Sequence, residues 1–364
     1  MLFVIQKIGF WAIQARVRCI LASILGIMEE FDTILQKNAN STELRVNTFM
    51  MHNTPLDAIG NTPLVRVPFD SPATFYAKLE YLNPSGSMKD RSALFLVTQA
   101  EQQGLLKPGY TLIDASSGNH GIALAMIGAI KGYSVIITVS EKISREKLDA
   151  IQAYGAQVVM CPSTAVIEDP HSYHSVAKKI REETPNSYMV NQYFNPLNAT
   201  AHYSSLGPEI IKQTSGTITH FFSGAGTGGT LSGVGKYLKE YDPAIKVIGI
   251  DAANSYRATQ GNPQPYAVEG IGIDFISPVM DYSVVDAIET VSDAEAFSML
   301  PILAQKMGVL AGPSSGAVAY AVQKQAKKFA PNDVIVMIFG DSGRAYLTKN
   351  FYTVRGARMV CSSI

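Results

Sequence analysis

Cysteine is scarce in this chain: Cys19, Cys161 and Cys361 are the three in 364 residues, and they lie far apart. None stands in the C-x-x-C or Cys…His spacing of a zinc site, so they read as reduced cytosolic thiols, Cys161 at the end of QVVMCP being a small apolar filler. Net charge is lacking as well. Thirty basic and thirty acidic residues cancel, which excludes a basic field for nucleic acid and an acidic patch for a cationic partner, and directs the search for binding to pockets. A clean hydrophobic run is also missing. The opening MLFVIQKIGFWAIQARVRCILASILGIM has no acidic residue before Glu29, but Lys7, Arg16 and Arg18 interrupt it and no small-x-small cleavage site follows. An ordinary membrane span and a signal peptide are disfavoured. An amphipathic arm, a targeting presequence and translation from an upstream start are left, the last supported by Met50 and Met51. Residues 51–354 contain no short-period repeat, low-complexity tract or obvious linker.

What the chain has is length for a large core, in one two-lobed unit or two domains. From Leu112 on, short β-rich runs alternate with helical stretches of about a dozen residues. TLIDA reads as a strand, SSGNHG as a loop, IALAMIGAIKG as a helix and YSVIITVS as the next strand. REKLDAIQAYG with QVVMC, and SYHSVAKKIREE with YMVNQY, repeat the cycle. After HYSSLGPEIIKQ come ITHFF, the loop SGAGTGGT, the helix LSGVGKYLKEY and the strand KVIGI, and later AEAFSMLPILAQKMG, AVAYAVQKQAKKFA and VIVMIFG. Each parallel strand needs a crossover and both sheet faces need cover, so the pattern predicts parallel sheets flanked by helices, in two lobes with a cleft between. Ligands in such folds bind beyond the carboxyl ends of strands. Three loops rich in Gly and Ser are candidates: SSGNHG, SGAGTGGT and, between two helices, GPSSGA.

Gly224, Gly226 and Gly229 match G-x-G-x-x-G after a strand and before a helix, with Asp251 at the end of the next strand. The rival to this dinucleotide fingerprint is a cup in which Gly226, Thr227, Gly228, Gly229 and Thr230 wrap one phosphate with backbone N–H groups and hydroxyls. Two threonines favour the cup; a tight turn with no ligand is the bland alternative. Of six histidines, only His120 stands in a Gly/Ser loop at a strand end. The stretch NPSGSMKDRSALF sets Lys89 and Arg91 at a helix start, where cations are disfavoured. In one reading Ser87 caps the helix, Asp90 completes an S-x-x-D box and both cations point into water. In the other, partial burial and the nearby Arg91 charge depress the Lys89 amine so that it can attack an aldehyde. One phosphate, a lysine, an asparagine in one glycine loop and a serine in another are together what pyridoxal 5′-phosphate requires.

The runs IGNTPLVRV, AKLEYLNPSGSMKDRSA, SSGNHGIALA, NQYFNPLNATAHYSSLGPEI, SGAGTGGTLSGV, VEGIGIDFI, GPSSGA and DSGRAYLTK occur in that order. Over residues 51–354 the chain resembles the cysteine synthase and cystathionine β-synthase family of fold-type II pyridoxal-phosphate enzymes. The resemblance implies an α/β, two-lobed, tryptophan synthase β-like fold with the cofactor in the interdomain cleft. Residues 84–195 would form a smaller, mobile domain and 51–83 plus 196–354 the larger, phosphate-holding one, with 1–50 an extension and 355–364 a tail. It further implies that Lys89 carries the Schiff base and moves the α-proton, that Asn119 bonds the cofactor's 3′-oxygen, that Gly226 to Thr230 hold its phosphate, and that Ser314 faces the pyridine nitrogen. Ser116, Ser117, Gly118, Asn119, His120, Gln192 and Gly270 would contact the substrate, its carboxylate above all. Ser116 or Ser117 alone also fits an ordinary N-cap, and Gln192 a satisfied strand end.

The implied reaction is β-replacement on serine or O-acetylserine through an aminoacrylate, with a thiol or sulfide as nucleophile, in a cytoplasmic homodimer without metal, nucleic acid or integral membrane span. The sequence GIGIDFISPVMDYSVVD leans to the cystathionine branch through Asp274 and Phe275, although Ile273 stands where that branch usually has Tyr. His120 departs from both branches, and SSGNHG resembles the serine and threonine dehydratases. A dehydratase-like elimination, a 2,3-diaminopropionate synthase, a cofactor-bound scaffold and an NAD-dependent oxidoreductase are the alternatives. No haem-binding leader or regulatory tandem module is expected.

Overall fold

Strand β10 (Val334–Phe339) shows how the fold is built. Ile335, Met337 and Phe339 enter one apolar cluster while Val336 and Ile338 enter another, because successive side chains leave a strand on opposite faces. With no polar residue on either side, VIVMIF can only be an inner strand covered twice. The computed structural model, which describes residues 51–352 apart from 165 and 166, places it there. Around it run β1 (Leu64–Arg66), β2 (Thr74–Leu79), β7 (His220–Gly224), β8 (Lys246–Ala252) and β9 (Ala287–Val291) in the order β1-β2-β10-β7-β8-β9. β1 is antiparallel to β2, and all other pairings are parallel.

A second, four-stranded parallel sheet contains β3 (Thr111–Ala115), β4 (Ser134–Ser140), β5 (Gln157–Cys161) and β6 (Ser187–Met189) in the order β5-β4-β3-β6. Its helices are α2 (Asn119–Lys131), α3 (Arg145–Ala153) and α4 (Tyr173–Glu183). Helix α1 (Lys89–Gln102) packs Leu96, Val97 and Ala100 into the cluster that holds Leu112 of β3. β3 itself alternates, Leu112 going to that cluster and Ile113 and Ala115 to one with Ala177 of α4. The larger sheet is covered by α6 (Leu206–Gln213) and α7 (Gly229–Tyr241) on one face, and by α8 (Asp293–Met307) and α9 (Pro313–Gln325) on the other. Among the described residues no helix is long and apolar enough to cross a membrane.

Several details depart from the linear reading. HYSSLGPEIIKQ is divided between α5 (Leu197–Ser204) and α6. Pro208 offers no N–H to the Ser204 carbonyl, and the Ser204 and Ser205 hydroxyls donate back to the carbonyls of Thr200 (2.9 Å) and Ala201 (2.7 Å), which bends helices. YMVNQY is strand only to Met189, for Asn191 takes a left-handed φ of 57°. GPSSGA is not a loop: Pro313 is the first residue of α9, which suits its fixed φ, so Ser314 and Ser315 lie in a helical first turn. Cys161 is buried, and burial pushes its thiol up, as an inert filler requires. The opening residues 1–50 and the tail from 353 lie outside the described residues.

Candidate active site

The loops after β2, β3, β6, β7 and β8 and the first turn of α9 supply the sequence-derived candidates, and backbone contacts stitch several of them to the end of β10. Ser87 forms an isolated bridge with Asp341, Met88 N–H donates to the Gly340 carbonyl at 2.8 Å, and Gly312 N–H to that of Asp341 at 3.0 Å. Lys89, Ser314 and Asp341 are thereby held in one neighbourhood although they come from distant parts of the chain.

Lys89 opens α1, and its N–H donates to the Ser87 hydroxyl at 3.2 Å. The S-x-x-D capping box does not form: the N-cap is Met88, and Asp90 turns back to accept from Ser85 N–H at 2.7 Å and from the Ser85 hydroxyl. Burial lifts the Asp90 carboxyl to about 6 against those bonds. Arg91 does not point into water either. It is buried, donating through Nε and Nη2 to Glu80 (2.7 and 2.9 Å) and through Nη1 and Nη2 to Glu209 (2.7 and 2.8 Å). Two carboxylates hold its charge, so Arg91 is not what depresses Lys89. Burial lowers the Lys89 amine, and Asp341 opposes the shift. Among the described residues the Lys89 ammonium has no hydrogen-bond or ion-pair partner.

The glycine loop leads into α7, and Gly228 adopts φ 93°. A Cβ on Gly226 would sit 2.9 Å from the Gly270 carbonyl, so only glycine fits there. The Thr227 hydroxyl receives Gly229 N–H (3.4 Å) and Asn198 Nδ2 (3.3 Å), while Ser277 donates to its carbonyl at 2.5 Å. The backbone N–H groups of Gly226, Thr227, Gly228 and Thr230 find no acceptor among the described residues. Such a set of free donors at a helix start is chemically suited to an anion. Asp251, the acidic residue of the rival dinucleotide reading, accepts instead from Ser255 (2.7 Å) and Arg257 (2.8 Å).

His202, which sequence reasoning passed over, lies beside this loop with Nε2 3.4 Å from the Thr230 hydroxyl and Nδ1 without a partner. Burial, then the charges of Lys89 and Arg91, push it down to about 3. That Lys89 acts on a ring in contact with Thr230 brings the amine and the cup into one electrostatic neighbourhood.

A second set of free donors opens α2. Ser117, Asn119 and His120 N–H have no acceptor among the described residues, whereas those of Gly118 (3.1 Å) and Gly121 (2.9 Å) reach the Ser116 hydroxyl. Ser116 is fully buried and serves as the loop's internal acceptor. Ser117 is exposed and lies against Tyr193. His120 is turned away: its Nε2 meets Asp114 Oδ2 at 3.0 Å in the core. Asp114, also unforeseen, further accepts the N–H groups of Asn191 (3.1 Å) and Gln192 (3.3 Å). A histidine in this loop thus closes a buried carboxylate network, which supplies the bland reading of the dehydratase-like motif. The Gln192 side chain is buried with Oε1 unpartnered.

Ser314 and Gly270 face each other, for a Cβ on Gly270 would stand 3.1 Å from Ser314 Oγ. That hydroxyl has no partner among the described residues, and the neighbouring Ser315 is buried with Oγ unsatisfied. Glu269 accepts from Lys147 (2.6 Å) and Lys349 (2.5 Å), and Lys147 also donates to the Tyr346 hydroxyl at 2.8 Å. Asp341 Oδ2 takes Asn119 Nδ2 at 2.7 Å and the Tyr346 hydroxyl. Lys147, Asp341 and Tyr346 carried no sequence signal beyond their place in SEKISREK and DSGRAYLTK.

These residues fit pyridoxal phosphate: an amine and a hydroxyl facing Gly270, both without partners among the described residues, and two helix starts with free N–H donors. Residues 55–341 match the family described as pyridoxal-phosphate dependent enzyme. The chain is 43% identical over 303 residues to a cystathionine beta-synthase of Apis mellifera, covering 81% of this chain and 60% of that relative's length. To a probable cysteine synthase of Bacillus subtilis it is 39% identical over 303 residues, covering 82% and 96%. The crystal structure of an O-acetylserine dependent cystathionine beta-synthase from Helicobacter pylori superposes with a TM-score of 0.78 at 38% identity, over 84% of this chain and all of that one. With the geometry and the matches in agreement, this chain belongs to the pyridoxal-phosphate dependent enzymes.

Proposed function

We propose that the chain binds pyridoxal 5′-phosphate and replaces the β-substituent of serine or an activated serine by a thiol or sulfide. The single observation that carries the reading is a half-buried lysine amine, without a partner among the described residues, that shares the neighbourhood of His202 with a helix start bearing four free N–H groups, those of Gly226, Thr227, Gly228 and Thr230. The relatives named cystathionine beta-synthase and cysteine synthase support the reaction class. Bound, the cofactor would withdraw electrons from the Cα of an amino acid attached to it.

Gly226 to Thr230 would hold the phosphate through backbone N–H groups and the Thr227 and Thr230 hydroxyls, helped by the α7 dipole. Asn119 would donate to the 3′-oxygen. The Ser314 hydroxyl would face the pyridine nitrogen as a neutral partner. The α2 donors at Ser117, Asn119 and His120, with Gln192 nearby, would receive the substrate carboxylate. Lys89 would take the α-proton. Burial favours its neutral form, so at neutral pH more of it can accept a proton than of an ordinary lysine. The lobe of residues 84–195 carries the carboxylate cradle and the remainder the phosphate cup, and we place the substrate between them, in a homodimer.

The test pairs reconstitution with turnover. Purified protein should turn yellow with the cofactor, and borohydride followed by peptide mapping should leave the cofactor's mass on Lys89. Serine, O-acetylserine and O-phosphoserine should then be combined with sulfide, cysteine, homocysteine and ammonia. Protein that stays colourless would sink the reading, and release of pyruvate alone would replace it with elimination.

A further inference from the structure

Asp341 reaches Asn119 across 222 positions of sequence, from the end of β10 to the start of α2, and so from one sheet to the other. Its Oδ2 receives two donors, Asn119 Nδ2 at 2.7 Å and the Tyr346 hydroxyl. An oxygen with two donors is an acceptor whether or not the other carboxyl oxygen carries a proton. Asn119 must therefore present nitrogen, not oxygen, to it, which removes the two-fold ambiguity of a free amide. Tyr346 is fixed in turn: it is fully buried, and its hydroxyl accepts from Lys147 at 2.8 Å with the ammonium 4.2 Å from the ring centroid. Asp341 Oδ1 has no partner. Burial pushes the Asp341 carboxyl up, and Lys147, Tyr346 and Asn119 all oppose that shift.

We propose that Asp341 is a positioning residue: it locks the Asn119 amide so that the second Nδ2 hydrogen is aimed at the 3′-oxygen of bound pyridoxal phosphate. This rests on the function proposed above. Asp341 touches neither cofactor nor substrate in this scheme; it sets the donor that does. With that donor lost, the oxyanion of the cofactor is less stabilised and its protonated form persists to higher pH.

The experiment titrates cofactor-free protein with pyridoxal phosphate and records the visible band against pH for wild type, Asp341→Leu, Asn119→Ala and the double variant. Asp341→Leu should bind the cofactor about ten-fold more weakly and move the midpoint of the band transition in the same direction as Asn119→Ala. The double variant should bind the cofactor no more weakly than Asn119→Ala, because Asp341 reaches the 3′-oxygen through that amide, and losing its charge beside Lys89 only lowers that amine further. A wild-type spectrum in Asp341→Leu, or losses that multiply in the double variant, would overturn the assignment. Should Asp341→Leu fail to fold, Asp341→Asn replaces it. Its amide oxygen can take the place of Oδ2 for both donors but lacks the carboxylate charge, so the hold on Asn119 is weakened and not lost: a smaller shift of the same sign supports the assignment and no shift overturns it. A wild-type protein that never develops the band refutes the proposed function instead.

Discussion

Replacing Arg91 by Met would remove four charge-assisted hydrogen bonds and leave most of the side-chain stem in place. The four run to Glu80 (2.7 and 2.9 Å) and Glu209 (2.7 and 2.8 Å). Glu209 would keep Lys78 at 2.8 Å. Glu80, fully buried, would keep only the Thr62 hydroxyl (2.6 Å) and Asn83 Nδ2 (3.1 Å). Removing one partner of a buried ion pair costs about 3–5 kcal/mol, chiefly because the charge left behind is uncompensated. The pH dependence is what separates this mechanism from lost packing. In the native protein, against the effect of burial, Arg91 and Lys78 hold the Glu209 carboxyl at about 2 rather than 4.5, so its contribution is complete above about 4.5 and is lost as pH falls toward 2. In Arg91→Met the stranded carboxylates gain by protonation, so the deficit should be largest near pH 7 and shrink below about pH 4.5. Urea unfolding of cofactor-free protein at about pH 7 and about pH 4 measures it. A deficit under about 1 kcal/mol, or one equal at both pH values, would refute the reasoning.

Three further outcomes follow from the same geometry. Lys89→Met should raise the melting temperature of the cofactor-free protein at neutral pH: the folded lysine has the lower pKa, so the unfolded chain binds that proton more tightly and the native amine is a penalty. A lower melting temperature contradicts this. Gly226→Ala brings a methyl 2.9 Å from the Gly270 carbonyl, and should weaken phosphate-dependent cofactor binding at least about ten-fold while far-UV circular dichroism is retained; unchanged affinity excludes the loop as the phosphate site. His202, lowered from 6.5 to about 3, should show no ring titration by NMR between about pH 8 and pH 4, and stability should fall with pH below 6.5 as the unfolded histidine gains its proton. A midpoint near 6.5 would mean the ring is not enclosed.

The parallel strands were legible where they are apolar on both faces, as in VIVMIF, and the phosphate loop because glycine, threonine and a following helix lie within a few positions. β2 and β9 are not legible, since TFYAKL and AIETV mix polar and apolar residues without a clean period. GPSSGA reads as a loop because glycine and serine punctuate it, whereas Pro313 at the first helical position marks a start. The partners of Arg91 were unreadable, because Glu209 lies 118 positions away and nothing local announces it. The same holds for Asn119 and Asp341. Reading Lys89 as depressed by partial burial and by Arg91 has the right direction and one right cause, burial; the pairing of that guanidinium removes the other.

The order β1-β2-β10-β7-β8-β9 puts the last strand of the described residues in the middle of the larger sheet. Until residue 339 has emerged, β2 and β7 have no neighbour between them, and both carry bare edges of phenylalanine-containing strand. Nascent chains are therefore most prone to sticking late in synthesis, and a cut anywhere before β10 removes the keystone rather than a fringe.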